Sequence, residues 1–297
     1  MSTPTLRGPT IRNIAVVGLL ATSLGGTVAL AAPAPVPGHR AAFTPAAIPP
    51  AGASDPVPLA AHRALYDLSL ASTHGGSTVA ASGSMSFQVT DACTGWATQQ
   101  QLKLQLVTRE GQSTDMVSDY ATLESKDGRH LTFDMQERDN GSVTQQVRGE
   151  AGIDAAGNGV IHFTLPAVST MALPRGTLFP MAHTEAIIRA AQAGRKSIDP
   201  VLFDGTSADG PTDSYVTILG WDAAPSSSPY AVLAGESSGR VHVAFFARKP
   251  GAISPDYEIG MRYFANGVSD TLDMDFGDFT MRGSLTSFTP MTAPHRC

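Results

Sequence analysis

The feature that most constrains this chain is a period-two alternation of apolar and polar residues, recurring from Tyr66 almost to the C-terminus. Successive side chains of a β-strand point to opposite faces, so such alternation marks strands with one face buried and the other solvated. Tyr66, Leu68 and Leu70 form the first set, and Met85, Phe87 and Val89 the next. Leu102, Leu104 and Leu106 then alternate with Lys103 and Gln105, and Leu131, Phe133 and Met135 alternate with Thr132, Asp134 and Gln136. The habit continues through Tyr215 to Trp221, Val241 to Ala247, Tyr257 to Tyr263 and Leu272 to Phe276. Parity slips where Gly277 and Asp278 precede Phe279, which predicts a bulge or a tight turn. The expected fold is all-β, with enough strands to curl or close the sheet.

Turn chemistry gives the connectivity. Asp127-Gly128, Asn140-Gly141 and Asn266-Gly267 each sit between alternating runs, where an Asx-Gly pair accepts the positive φ of a tight hairpin. Sequential strands are therefore expected to pair as an antiparallel meander. One segment departs from the pattern. Pro180 to Ala193 loses alternation, is rich in alanine and stops at Gly194, which predicts a helix. Its face of Ala186, Ile187, Ala190 and Ala191 should pack on the sheet or plug its mouth.

The N-terminal region has a different character. Arg7 and Arg12 precede an apolar run from Ile14 to Leu30 that ends in Ala29-Leu30-Ala31, the pattern of a cleaved Sec-type signal peptide over residues 1–31. Glycine, serine and threonine dilute the run, which favours cleavage over retention as an anchor. Residues 32–59 are rich in proline and alanine and read as an extended linker. A single domain is expected over residues 60–297. Export also gives meaning to the only two cysteines, Cys93 and Cys297. In an oxidising compartment such a pair reads as a structural disulfide, and neither has the neighbouring thiol of a redox motif. A bond of this kind would hold the sequence termini of such a sheet in register.

A net charge of −6 and a pI near 5.7 argue against nucleic acid as a partner, since binding it needs a basic face. After residue 31 no apolar run reaches spanning length, and the strands lack aromatic girdles, so the mature protein is not expected to span a membrane. No catalytic set, metal-ligand set or cofactor motif emerges. Gly235-Glu236-Ser237-Ser238-Gly239 matches the hydrolase letters G-x-S-x-G, with Asp256 and His295 following in a suitable order. Strand-like segments over Tyr230 to Ala234 and Arg240 to Arg248 make it a hairpin loop rather than a strand-to-helix elbow. Asp273, Asp275 and Asp278 lack the spacing of a calcium loop and read as a solvated strand face. His183-Thr184-Glu185 has the H-x-E half of a zinc deaminase without its cysteine partner. His62 shares parity with Tyr66 and reads as a hydrogen-bonded residue near the core.

A set of landmarks runs along the chain: His62 to Tyr66, Gly83 to Phe87 running into Asp91 to Trp96, Pro174 to His183, Leu202 to Gly205, Tyr257 to Ile259, Arg262 to Val268, and Asp278 to Leu285. Taken in order, these segments resemble the EipB family of periplasmic cell-envelope integrity proteins of alphaproteobacteria. The resemblance spans most of the chain from about Ala61, but not the proline-rich segment. It implies a β-spiral with a disulfide joining an early strand to the C-terminus, here Cys93 and Cys297, and some likeness to periplasmic lipoprotein carriers. The function it implies is a non-enzymatic periplasmic role in envelope integrity and stress resistance. A lipid, a lipoprotein acyl chain or a periplasmic protein is the expected partner, bound in the curled sheet at residues the sequence does not specify. An envelope hydrolase with an unrecognised site is the alternative.

Overall fold

The computed structural model describes residues 57–223, 228–292, 294 and 297. The expected signal peptide, residues 1–31, and residues 32–56 of the expected linker lie outside them, as does His295.

Among the described residues, fifteen strands form one antiparallel sheet. The first eight are β1 His62–Thr73, β2 Thr78–Asp91, β3 Gly95–Thr108, β4 Ser113–Ser125, β5 His130–Asp139, β6 Ser142–Ile153, β7 Gly159–Leu165 and β8 Ser169–Leu173. Helix α1, Pro180–Gln192, follows, and then two short strands, β9 Ser197–Ile198 and β10 Val201–Leu202. The rest are β11 Thr212–Asp222, the single-turn helix α2 Ala231–Ala234, β12 Ser238–Ala247, β13 Tyr257–Phe264, β14 Ser269–Asp275 and β15 Phe279–Pro290. The order across the sheet runs from β10 through β15 to β1 and on to β8, with β9 against β11. The meander expected from the sequence is thus the actual connectivity. Its closing step is β15 pairing with β1, from His62 opposite Pro290 to Thr73 opposite Phe279.

The sheet curls without closing into a barrel. Its edges are the internal strands β8 and β10, while the first and last strands are neighbours in its middle. The two-residue length of β10 blunts that edge, which limits pairing with other chains.

Alternation holds along the strands. In β4, Met116, Ser118, Tyr120, Thr122 and Glu124 are buried while their odd-numbered neighbours are not. The Asn140-Gly141 turn has φ of 50° and 81°, as a tight hairpin demands. The parity slip before Phe279 is a tight turn between β14 and β15, with Gly277 at φ 82° and the Asp275 carboxylate accepting its N–H. The one large helix ends in a Schellman motif: Arg195 N–H bonds the Ala190 carbonyl and Gly194 N–H the Ala191 carbonyl. Its buried face also includes Ile188, Met181 and His183, and Ala186 is only half-buried.

Two sequence expectations change. Tyr230 to Ala234 is not strand-like, since Ala231–Ala234 forms helix α2, with Leu233 packed against Phe264 and Val268. Cys93 does not lie within a strand either. It occupies the turn between β2 and β3 at φ 67°, its N–H held by the Asp91 side chain. Its sulfur is bonded to Cys297 at 2.11 Å. The bond joins this turn to the segment after β15, two strands away across β1.

Candidate functional site

The curl turns the inner face of β1 to β4 toward that of β12 to β14, and α1 closes one side. A cavity with about 100 Å³ of space open to water-sized molecules remains between them. Its walls are largely apolar: Met85, Phe87 and Val89 from β2, Ile259 and Met261 from β13, and Met181 and Ile187 from α1. Period two brings these residues inward on the strands, and the helical repeat brings Met181, Thr184 and Ile187 to one face of α1. Leu59, just before β1, also lines it and packs with Val89, Trp96 and Met181.

Polar groups on the lining are mostly satisfied. The Tyr66 hydroxyl donates to the Ser269 carbonyl at 2.7 Å, and Tyr120 donates to the Asp204 carbonyl at 2.6 Å. The Tyr263 hydroxyl bonds the Thr184 side chain. Tyr257 differs: its hydroxyl is buried with no hydrogen-bond partner among the described residues. Burial raises all four phenols above their usual range, so each remains a neutral donor.

Two carboxyl groups lie behind this lining. Glu124, 1% exposed, accepts the first helical N–H groups of α1 from Met181 at 2.7 Å and Ala182 at 2.8 Å. The helix has no cap from its own Phe179, so a strand residue supplies it. Burial pushes the Glu124 carboxyl up to about 7 despite these donors, and pushes Asp204 up to about 6. Thr206 donates both its N–H and its hydroxyl to Asp204.

His183 and Ser214 are 2.9 Å apart, Nε2 to Oγ, and superficially resemble a base beside a nucleophile. The proton count opposes that reading. Ser214 Oγ donates to the Pro200 carbonyl at 2.7 Å, so it must accept from His183, which is therefore the Nε2–H tautomer. Such an imidazole cannot take the serine proton through that contact. Burial also pushes His183 down to about 4, keeping it neutral. The pair is a structural hydrogen bond between α1 and β11.

The other sequence candidates are scattered. Ser237 precedes β12 at the end where Ser238 pairs with Phe264. Asp256 lies at the opposite end of that hairpin, its carboxylate holding the Ala247 N–H. Asp273 is an exposed strand residue paired with Arg282 at 3.1 Å. His62 is 3% exposed, bonds the Ala60 carbonyl through Nδ1, and sits between the Phe87 and Phe288 rings at the cavity wall. Sequence reasoning passed over Glu124, Ser214 and Tyr257. Parity alone flags Glu124, since it continues the buried even-numbered series of β4.

Comparison with known proteins adds the family context. Residues 53–292 match the family model described as EipB-like. The cell envelope integrity protein EipB of Brucella abortus (strain 2308) is 30% identical over 245 residues, covering 79% of this chain and 85% of that protein. A crystal structure from Brucella abortus, described as a β-barrel-like protein of domain of unknown function DUF1849, superposes with a TM-score of 0.73 at 28% identity. It covers 80% of this chain and all of that one. Among the described residues no helix is long and apolar enough to cross a membrane.

Proposed function

Since this chain belongs to the EipB-like family, we propose that it supports cell-envelope integrity as a periplasmic, non-enzymatic carrier that holds the acyl chain of a lipid or lipoprotein. The observation that carries this reading is the cavity, with its apolar walls and the partnerless Tyr257 hydroxyl. A buried donor left unpaired costs about 1–3 kcal/mol, and an ester or amide oxygen on a bound amphiphile would recover it. The space takes the end of a chain, with helix α1 as one wall.

Titration with a fluorescent long-chain fatty acid tests this. Saturable binding by the parent protein, lost in Met261→Trp at unchanged fold, is the expected result. Equal binding by both proteins, or none by either, contradicts the cavity as the site.

A further inference from the structure

The sheet has a second depression, on the outer face of β1 to β6, with about 470 Å³ open to water-sized molecules. Cross-strand register sets its chemistry. One row places Arg63, Gln88, Gln99, Ala121, Asp134 and Arg148 on six successive strands. The adjacent row, two residues along each strand, sets Gln101, Asp119, Gln136 and Gln146 side by side. Strands lie about 4.8 Å apart, so five steps spread this ladder over about 24 Å.

The charges in the groove are largely neutralised. Arg148 pairs with Asp134 at 2.7 Å and Arg138 with Asp119 at 2.7 Å, while Gln101 donates to Asp119. The Arg63 guanidinium and the Gln99 and Gln146 amides make no hydrogen bond or ion pair with another described residue. These three are open for a ligand, and amides offer both donors and acceptors.

We infer that this groove binds a neutral, hydroxyl- and acetamido-bearing glycan chain. An acyl chain finds no apolar wall here: among the described residues that line it, Ala121 is the one aliphatic residue, and Tyr120 is buried with its hydroxyl on the Asp204 carbonyl. A peptide cannot add as a strand, because β1 to β6 are interior strands whose backbone groups are spent on neighbours. A polyphosphate meets two carboxylates and one unpaired guanidinium, which is poor complementarity. What fits a row of amides and closed ion pairs is a ligand that donates and accepts along its length without net charge. The ladder matches an oligomer rather than one sugar, and many weak contacts along it sum to useful affinity. This site lies on the opposite face of the sheet from the acyl-chain cavity, sharing with it only the buried residues Gln100 and Tyr120.

The test is isothermal titration of the folded protein with chitohexaose, a neutral N-acetylglucosamine hexamer. Saturable binding is expected, at least tenfold weaker in Gln99→Ala/Gln146→Ala and in Arg63→Ala at unchanged melting temperature. Met261→Trp, which fills the cavity, should bind it like the parent, so failure of the acyl-chain reading would leave this result standing. Absence of hexamer binding, or equal binding by the groove variants, overturns the inference. So does a polar extended peptide that binds the groove in the hexamer's place.

Discussion

Glu124 on β4 caps the helix that begins fifty-six residues later, its Oε2 accepting the Met181 N–H at 2.7 Å. The contact ties α1 to the sheet at the wall of the cavity. Glu124→Ala would leave two helical N–H groups buried without acceptors, and the expected loss of stability is about 2–4 kcal/mol. Equilibrium urea unfolding reads it directly; an unchanged midpoint would mean that water replaces the carboxylate.

Glu124 and His183 pull stability in opposite directions as pH changes. Glu124 is raised from 4.5 to about 7, so between those values the folded state keeps a proton that the unfolded chain has released. Its contribution is full below 4.5 and is lost as pH rises through about 7. His183 is lowered from 6.5 to about 4, so in that window the unfolded chain binds the extra proton, and stability rises with pH. Asp204 acts with Glu124 and His62 with His183. The parent protein should therefore vary little between about pH 5 and 6.5. Glu124→Gln should gain stability as pH rises across that range, and His183→Gln should lose it, each by about 1 kcal/mol per pH unit. Denaturation midpoints measured at several pH values check the two slopes; equal slopes in both variants would contradict these assignments.

Gly205 has no room for a side chain. It sits at φ 77°, and a Cβ there would lie 2.2 Å from the Phe133 ring, which packs against Phe163 and Phe203. Gly205→Ala combines backbone strain with overpacking, for an expected cost of about 2–4 kcal/mol. Gly176→Ala, with a similar φ but open space around it, should cost about 1 kcal/mol. Thermal melts of the two variants separate the contribution of the ring from that of the backbone.

The Cys93–Cys297 bond closes a span of 204 residues. The chain-entropy account gives about 5 kcal/mol for a loop of that size, as an upper value. Cys93→Ser should melt well below the parent under oxidising conditions and match the reduced parent. Equal melting of oxidised parent and variant would show that the bond does not hold the fold.

Much of this architecture is legible in local sequence because each signal is local. Period two marks the strands, Asx-Gly pairs mark the hairpins, and the stop at Gly194 marks the end of α1. Other features depend on distant partners. Nothing near Glu124 announces that its acceptor atoms meet Met181, and nothing near Tyr257 announces that its hydroxyl goes unpartnered. Cys93 reads as a strand residue because Val89 and Trp96 flank it with buried side chains, yet the Asp91 side chain turns the chain there. Ala231 to Ala234 is too short to show a helical period. The edges are likewise hidden, because pairing of β15 with β1 makes the first and last strands central.

The most direct measurement of the central claim is native mass spectrometry of the protein purified from the cells that make it. The account predicts added mass corresponding to an acyl-bearing amphiphile in the parent and none in Met261→Trp. A parent protein that is ligand-free under conditions that preserve a known lipid carrier's complex would contradict it.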